Sequence, residues 1–200
     1  MSKQFVVTPA GMKKADAMCE KKGTSCAVLM RNVGSAVALH ISRIAKPCRT
    51  AVLVGSGNNG GDGFALAHNL RKRDFTPVII MTGSAPKTDL AKECYEEYRT
   101  DYENVLSYPD EPEKVLSEIA SCGVIADCVY GTGFHGELHP DIRRLFSYCN
   151  ESAALRFSAD IASGCNANDG SADKYSFRAD MTFALGAVKT GQLYVPCSEY

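Results

Sequence analysis

Short apolar runs alternate with amphipathic segments along most of the chain. The run at 50–55 is short and continuously apolar, and further strand candidates lie at 77–81, 124–131, 155–164 and 179–187, a pattern typical of strands buried in a parallel sheet. Between these runs, apolar residues recur at three and four positions, as they do on one face of a helix. The alternation predicts a three-layer α/β/α sandwich with a mainly parallel sheet, formed by one domain over residues 1–200.

Capping residues and prolines mark where the predicted helices begin and end. Thr8 and Pro9 suit the start of a polar helix that continues to Lys22, because a threonine cap and a first-turn proline are typical of helix N-termini. A longer helix with one apolar face begins near Cys26. The remaining helices are predicted after the glycine-rich stretch that follows the first strand, over 87–105, over 111–121 and from Pro140 onwards.

Composition and charge exclude several classes of function. Hydrophobic residues make up 45% of the chain and charged residues 22%, with a formal net charge of -1 and no basic stripe, so nucleic-acid binding is not expected. No apolar run approaches the roughly 20 residues of a membrane span, and the N-terminal stretch lacks the apolar centre of a signal peptide. The nine cysteines have irregular spacing without a CxxC pair, which favours buried thiols in a cytoplasmic protein.

Three glycine-rich loops follow predicted strands and carry most of the candidate chemistry. They read "GSGNNGGDG" (55–63), "DCVYGTGFHGE" (127–137) and "DIASGCNANDG" (160–170), and each contains an aspartate. Ligands of open α/β sheets bind outside the carboxyl ends of the strands. We therefore expect these three loops to form one site.

The first loop spells GxGxxG, but the pattern is weak evidence for dinucleotide binding. The next strand does not end in the acidic residue that would bind the ribose hydroxyls, and no Gly-Lys-Ser/Thr of a P-loop follows. A second GxGxxG occurs at 131–136. The unusual part is "NNGGD" (58–62), whose side-chain oxygens suit a hard cation and whose place at a helix start suits a phosphate.

Several motifs together resemble the YjeF N-terminal domain family of NAD(P)H-hydrate epimerases. "VLVGSGNNGGDGFALAHNL" (52–70) resembles the signature of that family. The family's other motifs follow in order: "LMRNVG" (29–34), "ADCVYGTGFHG" (126–136), "ADIASG" (159–164) and "ADMTFALGAVKTG" (179–191). The resemblance covers nearly the whole chain, which makes it more specific than either glycine pattern alone.

The resemblance implies a Rossmann-like, usually dimeric protein that interconverts the R and S forms of hydrated nicotinamide cofactors, NADHX and NADPHX, with a bound potassium ion. It implies a substrate site formed by Asn58, Asn59, Gly60, Gly61, Asp62, Gly131, Thr132, Gly133, Phe134, His135, Gly136, Glu137 and Asp160. It implies ion binding by Asn59, Asp127 and Ser163. The choice between NADHX and NADPHX stays open, as does competition from sodium or water for the ion site.

The chemistry that the resemblance implies needs one well-placed acid or base. The hydrated carbon carries a hydroxyl beside a ring nitrogen, so loss of hydroxide gives an iminium-like species to which water returns on either face. Asp160 is our catalytic candidate, because it lies in a glycine-flanked loop after a buried strand and because the resemblance implies that it faces the substrate. Lys189 is a weaker candidate, as a phosphate contact.

Other polar residues favour plainer interpretations. His135 and His139 have HxxxH spacing, but Gly136 and Pro140 point to a loop rather than a zinc site. Ser163 is not in a G-x-S-x-G elbow, which argues against serine hydrolysis. Asp169 and Asp173 lie in a polar loop and are expected to be solvated.

The chain departs from the family pattern at a few positions and leaves rival functions open. Ala162 replaces a proline, Arg31 a glutamate and Val33 an alanine, and the last two changes bear on helix or dimer contacts. A dehydratase acting on the S epimer is expected to be a separate chain. The main rival is an inactive nucleotide-binding or dimerisation module, as in decapping scaffold proteins. A generic NAD-dependent dehydrogenase is disfavoured, because this sequence lacks the acid that would bind the ribose hydroxyls.

Overall fold

The computed structural model describes residues 5–102 and 104–200. Its helices are α1 Pro9–Lys21, α2 Cys26–Ile44, α3 Asn58–Arg71, α4 Asp89–Asp101, α5 Pro112–Ala120 and α6 Pro140–Glu151. Its strands are β1 Val6–Val7, β2 Arg49–Val54, β3 Thr76–Met81, β4 Val105–Ser107, β5 Val124–Cys128, β6 Leu155–Ala159, β7 Met181–Phe183 and β8 Val188–Lys189. Two short 3-10 helices, Thr190–Leu193 and Cys197–Glu199, follow β8.

Six strands form one parallel sheet in the order β4-β3-β2-β5-β6-β7. The chain runs outwards from β2 to β4, then returns to β5 on the other side of β2. This reversal of direction is the point at which open α/β sheets bind ligands. A separate pair of strands, β1 and β8, also pairs in parallel.

Helices cover both faces of the sheet, which explains the continuous apolar runs of the strands. Val52 and Val54 of β2 face a core formed with α2, α3 and α4. Ala51 and Leu53 point the other way, into a second core formed with α5 and α6. The predicted α/β sandwich with a mainly parallel sheet is therefore confirmed.

The structure corrects the predicted end of the fourth helix. We predicted a helix over 87–105, but α4 ends at Asp101 and Val105 begins an edge strand that pairs with β3. The sequence did not reveal this strand because it has only three residues, each half-buried. Glu103, inside the predicted helix, lies outside the described residues.

Three predicted strands are shorter in the structure than the apolar runs that predicted them. The run 124–131 leaves the sheet after Cys128, and the run 155–164 leaves it after Ala159 because Asp160 takes a left-handed backbone conformation with φ 72. The run 179–187 supplies only β7. The residues beyond each strand form the loops of the candidate site instead.

Within the described ranges, every helix is too short or too polar to span a bilayer.

Candidate functional site

The first predicted loop is largely the start of helix α3. Asn58 to Asp62 lie in its first turns, and the N-cap residue Gly57 provides no side-chain hydrogen bond. A Cβ on Gly60 would lie 1.9 Å from the carbonyl oxygen of Gly55, so only glycine lets the helix start so close to the end of β2. The backbone amides of this helix start can donate hydrogen bonds to an anionic group.

Asp127, at the end of β5, is fully buried and accepts four hydrogen bonds. Its Oδ1 accepts from the Val129 amide at 3.1 Å and the Ser163 hydroxyl at 2.6 Å. Its Oδ2 accepts from the Ser158 hydroxyl at 2.9 Å and the Ser163 amide at 2.8 Å. Burial raises the pKa of Asp127 to about 6, although these hydrogen bonds oppose the shift. Asp127 thus ties the loop after β5 to the loop after β6.

Ser163 extends this connection to the second glycine-rich loop. Its Oγ accepts a hydrogen bond from the Tyr130 amide at 2.8 Å and lies 3.2 Å from the Tyr130 carbonyl. The hydroxyl therefore bridges the carboxylate of Asp127 and the backbone at Tyr130.

Asp160 is held in a strained and fully specified position. Its backbone has φ 72, which is uncommon for a residue other than glycine and concentrates at functional sites. Its Oδ2 accepts from the Thr132 amide at 3.1 Å, and its Oδ1 forms an ion pair with the Lys189 ammonium. Lys189 is fully buried and also donates to the Leu185 carbonyl at 2.7 Å. The structure thus places Lys189 as the partner of Asp160.

Asn59 brings the first loop against the other two. Its side chain is 8% exposed, and neither its amide oxygen nor its amide nitrogen has a hydrogen-bond partner among the described residues. A Cβ on Gly131 would lie 2.9 Å from Asp160 Oδ2 and 3.5 Å from Asn59 Cβ. Buried amides are rarely left unpaired, so Asn59 is a candidate for contact with a bound ligand or ion.

One open cleft of about 1780 Å³ gathers most of the predicted substrate residues. It is lined by Asn58, Asn59, Asp62, Gly131, Thr132, Gly133, Phe134, His135, Glu137 and Asp160. Gly60, Gly61 and Gly136 do not line the cleft; Gly60 and Gly61 allow close packing against Gly55 and Met30. Asp127 and Ser163 do not line the cleft either; both are fully buried in the hydrogen-bond network described above.

The cleft also contains an acidic residue that the sequence did not single out. Asp16, on α1, lines it together with Asp62 and Asp160. Burial and the nearby charge of Asp160 raise the pKa of Asp16, and Lys189 opposes the shift. Asp16 lies in a polar helix without a motif, so its sequence context carried no signal for a site.

Burial raises the pKa of Asp62 well above its usual range, and the negative charges of Asp160 and Asp16 add to the shift. Lys189 opposes it. The side chain of Asp62 has no hydrogen-bond partner among the described residues, in contrast with Asp160.

The prediction that Asp169 and Asp173 are solvated holds for only one of them. The prediction that Asp173 is solvated is wrong, because it is 7% exposed and accepts hydrogen bonds from the Leu138 amide and Arg143. Asp169 is exposed, as predicted. His139 caps α6 by accepting from the Asp141 amide at 3.4 Å.

Comparisons with known proteins find several relatives of this chain. The NAD(P)H-hydrate epimerase of Rhodopirellula baltica is 28% identical over 165 residues, which cover 82% of this chain and 67% of that protein. The bifunctional NAD(P)H-hydrate repair enzyme Nnr of Thermofilum pendens is 34% identical over 183 residues, and the Nnr of Helicobacter pylori 33% over 175 residues. These matches cover 90% and 86% of this chain but 35% and 36% of the two relatives, so the chain spans about a third of their length.

A solved structure is similar in fold. The crystal structure of yeast ynu0 superposes with a TM-score of 0.77 and 19% identity, covering 98% of this chain and 86% of the yeast chain. A family model described as YjeF-related protein N-terminus matches residues 26–191, which include all three loops of the cleft. The chain therefore belongs to the family of the YjeF-related protein N-terminus.

Proposed function

We propose that the chain is an isomerase that interconverts the R and S forms of the hydrated nicotinamide cofactors NADHX and NADPHX. The observation that carries the proposal is the convergence of Asn59, Asp160 and the Gly131–Glu137 loop on one cleft. The names of the relatives support it, since one is an NAD(P)H-hydrate epimerase and others are bifunctional repair enzymes.

Both ends of such a substrate find matching chemistry in the cleft. The diphosphate is anionic and suits the open amides at the start of α3, which carry the positive end of the helix dipole. The hydrated nicotinamide ring becomes cationic when hydroxide leaves, and the Asp160 carboxylate suits that developing charge. The helix start and Asp160 come together at Gly131, where an added Cβ would lie 2.9 Å from Asp160 Oδ2 and 3.5 Å from Asn59 Cβ.

Asp160 would act on the hydroxyl of the hydrated carbon. The Thr132 amide and the Lys189 ammonium fix its carboxylate, so it needs no reorganisation to stabilise the iminium-like species or to orient the returning water. Lys189 would be a positioning residue, because its ammonium is buried behind Asp160.

Replacing Asp160 tests this assignment. We expect Asp160→Asn to lower kcat for epimerisation about 100-fold or more, since a positioned acid or base contributes at least that much. The assay starts from pure R-NADHX in potassium buffer and follows the epimer ratio by chromatography. Glu96→Gln, an exposed change on α4, is the matched control and should keep the wild-type rate; an equal rate for Asp160→Asn would remove Asp160 from the mechanism.

Three observations support a proposed monovalent cation beside Asp127. The Asp127 carboxylate is fully buried, and no basic residue of the described ranges forms an ion pair with it. The Asn59 amide oxygen is unpartnered, and the Ser163 hydroxyl supplies a third oxygen. Hard cations prefer such oxygens. Because Asp127 already accepts four hydrogen bonds, an ion would share its oxygens with these donors.

We propose potassium as this ion, with Asn59, Asp127 and Ser163 as its ligands. Its charge would offset the buried carboxylate and attract the anionic substrate.

The proposal extends to partners. We propose a homodimer in the cytoplasm, and a dehydratase that acts on the S epimer as the enzyme that consumes the product. The bifunctional names of the longer relatives support a repair step of this kind. Light scattering on the purified chain measures its mass in solution. A mass of about twice 21.5 kDa supports the dimer, and a mass of 21.5 kDa contradicts it.

A further inference from the structure

We propose that Asp62 is a second catalytic residue of the cleft, a neutral carboxylic acid that donates a proton to the departing hydroxyl group while Asp160 remains its charged partner. This inference rests on the proposed epimerase function and assigns the proton donor within it. Asp62 lies in the early turns of α3 and lines the same cleft as Asp160.

The two carboxyl groups have opposite surroundings. Asp160 accepts a hydrogen bond from the Thr132 amide and forms an ion pair with Lys189. Asp62 is half-buried and has no hydrogen-bond partner among the described residues that would stabilise a negative charge. A pair of carboxyl groups whose environments differ in this way commonly divides into an acid and an ionised partner.

The charges that face Asp62 come from several elements and act mainly in one direction. Asp160 and Asp16 carry negative charge towards it from the loop after β6 and from α1, and Lys189 of β8 opposes them. The thiols of Cys94 and Cys128 also lie near it. Burial raises the pKa of Cys94 to about 11 and that of Cys128 well above its usual range, so neither thiol adds charge at neutral pH.

Lys189 cannot neutralise all three aspartates. Its ammonium is fully buried and engaged by the Asp160 carboxylate and the Leu185 carbonyl. Asp16 and Asp62 are left to share a cleft with a charged neighbour, which raises the pKa of both. Burial is the largest cause of the raised pKa in both residues, but the pKa of Asp62 is raised further and is also raised by the charge of Asp16, so Asp62 is the one of the two that keeps its proton to higher pH.

The proton transfer balances without a co-reactant. The Asp62 carboxyl gives its proton to the hydroxyl oxygen of the hydrated carbon, the C–O bond breaks, and its electron pair leaves with water. The lone pair of the ring nitrogen forms the C=N bond of the iminium-like species. Water then adds to the other face, the C=N electrons return to nitrogen, and the proton released by that water restores neutral Asp62 through the carboxyl pair.

Kinetics of two variants test the assignment. Asp62→Asn should lower kcat for R-NADHX about 100-fold or more with little change in KM, and should abolish the fall of kcat on the alkaline side. Asp16→Asn removes one negative charge facing Asp62, so it should shift that alkaline fall to lower pH. Glu96→Gln should leave both kcat and its pH profile unchanged.

A titration of the substrate-free protein gives a readout independent of activity. With carbon-13 in the aspartate carboxyl groups, NMR should show one carboxyl that stays protonated at neutral pH, and its signal should be missing from Asp62→Asn. If wild type does not epimerise R-NADHX, the proposed function fails. If wild type is active but Asp62→Asn is equally active, or if the protonated signal persists in that variant, the role of Asp62 is overturned.

Discussion

The buried carboxylate of Asp173, in the segment between β6 and β7, connects that segment to the residues just before α6. Its Oδ2 accepts from the Leu138 amide at 3.0 Å and from Arg143 at 2.7 Å, and its Oδ1 from the Tyr175 amide at 2.9 Å. Burial alone would raise its pKa, but the Tyr175 and Leu138 amides and the Arg143 guanidinium outweigh burial and hold the pKa below its usual range.

Asp173→Asn should therefore destabilise the fold in a pH-dependent way. A carboxyl whose pKa is lower in the folded state stabilises that state above its unfolded pKa, and the stabilisation is lost as pH falls through the folded pKa. We expect a loss of about 2–3 kcal/mol in the free energy of unfolding at neutral pH, shrinking below about pH 4. Urea unfolding of wild type and Asp173→Asn at neutral pH and below about pH 4 measures this loss of stability.

The exposed change Asp110→Asn is the control and should have little effect at either pH. An Asp173→Asn loss that was the same at acid and neutral pH would show that its charge does not matter.

The contrast between Asp169 and Asp173 shows what a local sequence can reveal about a residue. Both lie in one polar stretch, and nothing in their spacing distinguishes them. Asp173 is buried because Leu138 and Arg143, thirty or more positions away, pack over it. The position of Asp160 directly after a buried strand was predictable from the sequence, whereas its ion pair with Lys189 depends on where β8 lies.

At the scale of elements, helix α2 packs closely on α3 through a glycine. A Cβ on Gly34 would lie 2.5 Å from the backbone carbonyl carbon of Ala65 and 2.7 Å from its Cβ. Arg31, on the same helix, forms ion pairs with Glu93 and Glu97 of α4. The departure from the family's glutamate at this position thus serves a contact between helices.

Gly34→Ala tests this close packing. Alanine favours a helix by up to about 1 kcal/mol over glycine, but here its methyl would collide with the backbone of α3, and overpacking costs about 1–3 kcal/mol. We expect a net loss of stability in urea unfolding. Gly83→Ala, whose Cβ meets nothing within 4 Å, is the control; a Gly34→Ala protein as stable as wild type would mean that the helices separate freely.

The sequence predicted the strands that are buried on both faces, but it did not predict the strands that are only partly buried. The runs at 50–55 and 77–81 correspond closely to β2 and β3, which lie between two helical layers. The edge strand β4 and the pair β1–β8 have two or three residues each, too few for a periodic pattern. Their positions depend on neighbours distant in sequence.

At the scale of the whole molecule, the three loops were predicted to meet because parallel strands share one carboxyl edge. The structure brings them together in one cleft. The approach of α1 was not predictable, and it adds Asp16 to the cleft. The charge balance that distinguishes Asp62 from Asp160 therefore exists only in the folded chain.

Removing potassium should lower the stability of the whole fold. An ion that binds only the folded chain adds about 2.7 kcal/mol at a hundredfold excess over its Kd, which raises Tm by several degrees. The Tm of wild type should therefore be higher in potassium chloride than in choline chloride. Asp127→Asn should remove this difference in Tm, and Glu96→Gln should keep it. Equal Tm values for wild type in the two salts would contradict an ion site; an equal rise in sodium chloride would identify an unselective one.

The most direct measurement places pure R-NADHX with a catalytic amount of the chain in oxygen-18 water and follows both epimers by chromatography and mass spectrometry. The account predicts that the mixture reaches its equilibrium ratio faster than without the chain, with oxygen-18 in the hydroxyl of the newly formed S epimer. An epimer ratio that changes only at the spontaneous rate would contradict the epimerase function and favour a binding module of the same fold.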